Sequence, residues 1–317
     1  MPTQKYATPT PVVEVTPLPA RGPFEPAKLL PYLVQTGDTV TAIAAHFNTT
    51  VDQVLKANPS LPLTATLSSG QTIQVPAYYF ALGGPTLKII PDSEFVFGPA
   101  TTDFDVAEYL ESQPGYIRNL SAFVSDRQRS NAETILYLAR QYSINPRLLL
   151  ALLEWRSGAL TKAEVPADVI ANPLNLPDDG GLARFAAKSG FYLQLHWAAE
   201  QLSIGYYGWR NGTLTSISLS DTYLSRVDMY QNAGTVGVQY LLGQMLPHDE
   251  FDAAAGPEGF AATYYALWGN PFAHDDPPDV IPGNLTQPAL TLPFVANQQW
   301  ALTGGPHPGW GTNLPWS

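Results

Sequence analysis

The 317-residue sequence contains no cysteine, which excludes a disulfide framework, a thiolate nucleophile and a cysteine-ligated zinc site. Basic residues are scarce: 16 Lys and Arg stand against 27 Asp and Glu, for a net charge of −11. This balance argues against nucleic acid as a partner, because phosphates require surfaces rich in Lys and Arg. Long apolar runs and an apolar N-terminal signal core are also lacking, so the sequence predicts neither a membrane span nor its own export signal.

Proline and glycine divide the sequence into five segments. We expect a Pro/Thr-rich spacer over 1–29, a small α+β module over 30–78, a connecting segment over 79–105, a mostly helical domain over 106–283 and a short β-type fragment over 284–317. Proline removes backbone donors and favours polyproline II, so the spacer should be extended and solvated. A spacer of this kind suits a position between an anchor and a binding module, so we expect a signal or lipoprotein segment upstream of Met1.

The small module has the order strand, helix, helix, strand. Residues 32–34 suit a half-buried strand, and Asp38 or Thr39 can cap the helix that follows. A second short helix should end at Asn58, because the residue before proline is pushed out of the α region. Gly70 then turns the chain into a closing strand.

This order of residues over 32–76 resembles the lysin motif (LysM). The resemblance implies that the module binds glycans built on N-acetylglucosamine, above all peptidoglycan, in a shallow groove between two lips. The residues implied for glycan binding are Gly37, Asp38, Thr39, Val40, Asn58, Pro59, Ser60 and Leu61. The alternative is a small α+β domain of the same fold without a ligand.

Helical periodicity dominates the middle of the sequence. Ser130 and Glu133 predict a capping box at the start of one helix, and Asn145-Pro146 predicts the start of an apolar, buried helix that runs to about Ser157. Further helices are expected over 181–205, 227–245 and 259–268.

The segment from Ser143 to Gly158 resembles the catalytic helix of goose-type lysozymes and lytic transglycosylases, in which the glutamate of a Glu-Ser-Gly sequence is the general acid. Here Arg156 stands at that position, and arginine does not release a proton at physiological pH. Glu154 is the nearest carboxylate, about 200° away around the helix axis. It is therefore either a displaced catalytic acid or, as we favour, a structural group paired with a basic side chain or a helix N-terminus.

Two further features of the middle domain bear on saccharide binding. Tyr206, Tyr207 and Trp209 form an aromatic cluster that suits stacking on sugar rings, although core packing explains it equally well. The segment Asn232 to Thr235 is similar to the Asn-Ala-Gly turn of the same lysozyme-like families.

The C-terminal segment, from Thr291 to Phe294 and from Trp300 to Gly311, resembles the entry to lysostaphin-type zinc endopeptidases, which cut peptidoglycan cross-bridge peptides. The resemblance implies His307 as the first zinc ligand. No Asp or His follows it, so we expect zinc only in a full-length parent and not in this chain. The alternative is a tail rich in glycine and tryptophan.

The sequence therefore predicts the peptidoglycan-binding part of a bacterial cell-wall hydrolase, not itself catalytic, whose parent is a zinc endopeptidase. An extracellular or cell-envelope location follows from that function. One alternative is an active muramidase or lytic transglycosylase with Glu154 as its acid. Another is a structural envelope protein that uses the helical domain to contact another protein.

Overall fold

A computed structural model describes residues 15–20, 25–61, 67–79, 85–98, 101–176 and 189–273, together with residues 280, 289, 298 and 299. The chain divides into one unit over residues 1–282 and a second over residues 283–317. Of the predicted β-type fragment over 284–317, the structure describes only residues 289, 298 and 299. His307 lies outside the described residues.

The N-terminal module has the predicted βααβ order. Its elements are β2 (Lys28–Leu33), α1 (Val40–His46), α2 (Val51–Ala57) and β3 (Thr72–Ala77). The two strands pair antiparallel, with Tyr32 opposite Ile73. Of the two predicted caps for α1, Thr39 is the one used, and its side chain accepts a hydrogen bond from the amide of Ala42.

The described part of the spacer contains a short extended strand, but it is not a free solvated segment. Strand β1 (Thr16–Pro17) pairs antiparallel with β4 (Leu87–Lys88). The amide of Leu18 donates to the carbonyl of Thr86, and the Leu18 side chain is buried. The prolines are compatible with this arrangement because a two-stranded edge pairing requires few backbone donors.

The middle of the chain is mostly helical. Its elements are α3 (Asp92–Phe95), α4 (Val106–Ser112), a 3-10 turn (Tyr116–Asn119), β5 (Ser121–Val124), β6 (Arg127–Ser130), α5 (Asn131–Tyr142), α6 (Pro146–Ser157), α7 (Ala167–Ala171), α8 (Phe191–Arg210), β7 (Ser216–Ser218), β8 (Leu224–Arg226), α9 (Ala233–Met245), α10 (His248–Ala254) and α11 (Phe260–Trp268). The hairpins β5–β6 and β7–β8 are antiparallel. None of the described helices is both long enough and apolar enough to cross a membrane.

Local sequence signals place the central helices correctly. The capping box at Ser130 and Glu133 is present, and the Asn145 side chain caps α6 by accepting from the amide of Arg147. Every side chain from Leu148 to Leu153 is buried, as an apolar central helix requires.

The long helices α8 and α9 pack together at small residues. A Cβ atom on Gly205 would lie 2.9 Å from the Cα of Gly237, so the two backbones approach too closely for a larger residue. Helix α8 begins at Phe191, later than the predicted range 181–205, and residues 181–188 lie outside the described part of the chain.

The predicted connecting segment over 79–105 belongs, in part, to the helical core. Ile89 and Ile90 are fully buried, and the ring of Phe95 is stacked on that of Tyr206 at 4.6 Å between centroids. The expected linker is therefore wrong from about Leu87 onward. Its apolar residues are too closely spaced to be a solvated connection, and their burial joins it to the helices.

Candidate functional site

The first predicted lip of the glycan groove is a turn held by one carboxylate. Gly37 has φ of 83°, a left-handed conformation that favours glycine. Asp38 Oδ2 accepts hydrogen bonds from the hydroxyl of Tyr32 and from the amide of Gln35, each at 2.8 Å. Burial raises the pKa of Asp38 above its ordinary value. Asp38 therefore shapes the turn from inside and does not point freely at a ligand.

The second predicted lip is fastened to the strand β3. The Asn58 side chain donates to the carbonyls of Val54 and Gln74 and accepts from the amide of Gln74. Leu61 is buried in the core of the module, so its side chain is packed and not presented to a glycan. Pro59 and Ser60 are exposed between these two fixed points.

Three of the eight predicted glycan-binding residues are thus well exposed. They are Thr39 from the first lip and Pro59 and Ser60 from the second. Gly37, Asp38, Val40 and Asn58 are partly buried. The role of these residues in glycan binding stays a prediction, and the exposed three are its most direct test.

The helical domain covers one side of the module at helix α1. The ring of His46 is stacked on that of Trp209 at 3.5 Å between centroids and 7° between planes, and His46 Nε2 lies 2.9 Å from the carbonyl oxygen of Trp209. Burial lowers the pKa of His46 to about 4. Met229, which follows strand β8, is fully buried in the module's core cluster, and Tyr230 packs against that cluster.

A group of charged side chains joins the two parts next to the first lip. Arg210, at the end of α8, lies 3.6 Å from the carboxylate of Asp92 and donates to the hydroxyl of Tyr206 at 3.0 Å. A Cβ atom on Gly37 would overlap the guanidinium of Arg210. The other oxygen of Asp92 accepts hydrogen bonds from the side chain of Asn232 and the amide of Gly234. The carboxylate therefore caps α9 and holds Arg210 over the turn.

Sequence reasoning missed this charged group. Asp92 and Asn232 are 140 residues apart in the sequence, and no local pattern connects residues at that distance. The resemblance of residues 232–235 to an Asn-Ala-Gly turn drew attention to Asn232, but it gave no indication of its partner.

The aromatic cluster proposed as a saccharide groove is mostly packed. Tyr206 and Trp209 are 2% and 3% exposed, and Trp209 Nε1 donates to the carbonyl of Gln231. Tyr207 is 49% exposed. Of the three, Tyr207 is therefore the ring available for stacking on a sugar, while Tyr206 packs on Phe95 within the helical domain and Trp209 stacks on His46 of the module.

Glu154 and Arg156 occupy different structural positions on α6. Glu154 accepts hydrogen bonds from the amide of Leu160 at 2.7 Å and from the hydroxyl of Thr161 at 2.6 Å. The expected pairing with a basic side chain or a helix N-terminus is wrong, because these partners belong to the turn that follows α6. Arg156 donates to the carbonyls of Leu174 and Asn175, and burial lowers its pKa.

Metal-ligating side chains do not gather in the described part of the chain, where no cluster of three or more His, Cys, Asp or Glu residues could hold an ion. His248 forms a surface pair with Asp221 at 2.7 Å, and His196 lies 3.0 Å from the hydroxyl of Tyr142. The predicted zinc ligand His307 lies outside the residues that the structure describes, so its role stays a prediction.

Comparison with known proteins assigns families to both parts of the chain. Residues 32–76 match the model of the LysM domain, and residues 88–279 match the model named "LasA, N-terminal domain". A protein named Protease LasA from Pseudomonas aeruginosa strain PAO1 is 27% identical over 246 residues, which is 71% of this chain and 50% of the relative. Protease LasA of strain UCBPP-PA14 matches with the same identity and coverage. The chain thus spans about half the length of these curated relatives. No solved structure matches significantly.

Proposed function

This chain belongs to the LasA N-terminal domain family and carries a LysM domain, and from that premise we propose that it binds peptidoglycan on behalf of a cell-wall protease. The observation that carries the proposal is the LysM match over residues 32–76. Asp38 and Asn58 form hydrogen bonds within the two predicted lips, and Thr39 of the first lip and Pro59 and Ser60 of the second are exposed. Lips held by internal hydrogen bonds would bind a glycan without a large ordering cost.

The test is co-sedimentation of the whole chain with insoluble peptidoglycan and with chitin. Ser60→Glu adds bulk and negative charge at the exposed second lip, and we expect it to weaken binding by at least about tenfold, a loss typical of a disrupted binding contact. Ser218→Glu, on the exposed face of β7, is the matched control and should bind like the parent. Equal binding by both variants would show that glycan is not held at these lips.

The protease part of the proposal is supported by the name of the relatives and by the likeness of residues 291–311 to lysostaphin-type endopeptidases. On this proposal the cut bond is a peptide bond of the cell wall, and zinc belongs to the peptidase region, to which His307 would contribute. Residues 32–273 would hold that region near its substrate, outside the cell or in its envelope.

We further propose that the helical domain does not cleave glycan strands. Glycosidic cleavage requires a positioned acid that can transfer a proton to the leaving oxygen. Both oxygens of Glu154 are hydrogen-bonded within the protein, and the guanidinium of Arg156 is held by two carbonyls. We expect no release of soluble muropeptides by the wild type. Release that disappears in Glu154→Gln would instead identify Glu154 as a catalytic acid.

A further inference from the structure

A cleft of about 420 Å³ lies where the LysM module meets the start of the helical domain. From the module, Thr36 and Ser69 line it. From the helical side it is lined by Lys88, Asp92, Ser93, Asn232 and Phe272. Thr36 directly precedes Gly37, so the cleft is adjacent to the first lip of the predicted glycan groove. A ligand bound at that lip therefore has a second surface within immediate reach.

Lys88 is a cation without an anionic partner in this cleft. Its ammonium makes no ion pair with a described residue, although the carboxylates of Asp92 and Asp38 favour its charge from a greater distance. Asp92 directs its oxygens to Asn232, Gly234 and Arg210 instead. Lys88 is partly buried, and burial lowers its pKa. A desolvated ammonium is stabilised by a carboxylate that enters the cleft.

Two residues that line the cleft each carry a buried polar atom without a partner among the described residues. Ser93 and Asn232 are 5% and 4% exposed, and neither Ser93 Oγ nor Asn232 Oδ1 makes a hydrogen bond with a described residue. The orientation of the Asn232 amide is fixed, because its nitrogen donates to the carbonyl of Ile90 and to Asp92, both at 2.7 Å. The oxygen is therefore a true acceptor that lacks a donor. Buried groups in this state are destabilising unless a ligand or water completes them.

These three groups define the chemistry of a ligand. The Lys88 ammonium and the Ser93 hydroxyl can donate to a carboxylate, whereas Asn232 Oδ1 requires an N–H or O–H donor. Phe272 adds an apolar surface at the same cleft. A short peptide with a carboxylate and a nearby amide N–H meets all of these requirements, and a neutral N-acetylglucosamine oligomer does not supply the carboxylate.

We propose that this cleft binds the acidic peptides that a peptidoglycan strand carries, while the LysM lips bind the strand itself. This inference rests on the proposed glycan-binding function and makes it more specific. The cleft and the lips engage two parts of one polymer, so their contributions combine through effective concentration. The chain should consequently prefer peptidoglycan that retains its peptides over chitin or stripped glycan.

The test compares two soluble ligands by calorimetry: a glycan oligomer that carries its peptides, and the same oligomer after an amidase has removed them and the lactyl carboxylates freed by that hydrolysis have been converted to neutral methylamides. For the wild-type chain we expect the peptide-bearing oligomer to bind on the order of tenfold more tightly, the effect of one charge-assisted hydrogen bond. Equal affinities for the two oligomers would overturn the inference and leave the LysM function intact.

Substitutions at the cleft separate the two sites. Lys88→Met keeps the side-chain stem and removes the charge, so it should abolish the preference for peptides and leave binding of the stripped oligomer unchanged. Lys162→Met, an exposed lysine that does not line the cleft, is the matched control and should keep the preference. A preference that survives Lys88→Met would also overturn the inference.

Ser93→Ala supplies a readout independent of charge. Because it removes a buried hydroxyl without a partner, the variant should be at least as stable as the wild type while it binds the peptide-bearing oligomer more weakly. Binding of that oligomer, dependent on Lys88, without any binding of the stripped oligomer would reject the LysM function and retain the cleft. Binding of neither oligomer would reject both.

Discussion

The cores of the LysM module and the helical domain are completed in different ways. The LysM core cluster includes Met229, which comes from the loop between β8 and α9, and Tyr230 packs beside it. Among the described residues, the core cluster of the helical domain contains no side chain from residues 28–79. The hydrophobic core cluster of the helical domain thus takes no apolar side chain from the module, whereas the module's core cluster includes a methionine of its neighbour.

This asymmetry changes what a small module can be expected to do alone. A module of about 45 residues buries a small fraction of its surface and is marginally stable by itself. Here the neighbouring domain supplies a buried methionine, the Trp209 ring against His46, and the Arg210 guanidinium over Gly37. The comparison teaches that a recognisable motif can mark a binding surface without marking an independent folding unit.

The largest expected effect is that of Met229→Ala. Truncation of a fully buried methionine costs roughly 2 to 5 kcal/mol, and the loss should fall on the LysM module. Amide hydrogen exchange should therefore accelerate in α1, α2 and β3. Met245→Ala, at a buried methionine of the helical core, is the control and should accelerate exchange in α8 and α9 instead. Unchanged exchange in the module of Met229→Ala would show that its core is self-sufficient.

The limits of sequence reasoning follow the same division. Local sequence signals predict the structure correctly where the interacting residues lie within one helical turn, as in the capping box of Ser130 and Glu133 or the cap at Asn145. Contacts between the LysM module and the helical domain were not predictable from the sequence. The predicted helix over 227–245 begins only at Ala233, so Met229 and Tyr230 lie in a loop, and the predicted helical periodicity does not assign them to the module's core. Asp92 meets Asn232 across 140 residues.

The candidate site was likewise predicted only in part. The LysM pattern is contiguous in sequence and predicts both lips, but it does not show that Leu61 is packed or that Arg210 lies over Gly37. The aromatic cluster from Tyr206 to Trp209 was ambiguous for a physical reason: aromatic rings serve core packing and sugar stacking equally well. Trp209 is covered by His46 of helix α1 and Tyr206 by Phe95, and both partners lie far away in the sequence.

The second effect concerns pH and His46, the buried histidine at the contact between the LysM module and the helical domain. The pKa of His46 is about 4 in the folded chain and 6.5 when unfolded, so only the unfolded state takes up this proton between those values. The stability that His46 contributes is complete above pH 6.5 and is lost as the pH falls toward 4, by about 3 kcal/mol in total. Urea denaturation over this window measures the loss.

Two comparisons isolate the contribution of His46 to the pH dependence of stability. His46→Gln, which cannot take up the proton, should show a smaller loss of stability on acidification than the wild type does. The pKa of exposed His248 is raised by Asp221, so its contribution has the opposite sign and is lost as the pH rises. If the free energy of unfolding depends equally on pH in the wild type and in His46→Gln, protonation of His46 does not destabilise the fold.

The smallest effect distinguishes two glycines with the same backbone. Gly37 and Gly70 have φ of 83° and 81°, so alanine at either position carries a left-handed strain of about 1 to 2 kcal/mol. A Cβ atom on Gly70 meets no atom within 4 Å, whereas one on Gly37 overlaps Arg210 and would displace it from Asp92 and Tyr206. Gly37→Ala should therefore cost about 1 kcal/mol more than Gly70→Ala, the magnitude of a partly exposed ion pair.

A double-mutant cycle decides the cause, because in an Arg210→Ala background the two glycine substitutions should become equally costly. If the excess at Gly37 persists there, the strain belongs to the turn itself and not to the contact between the module and the helical domain.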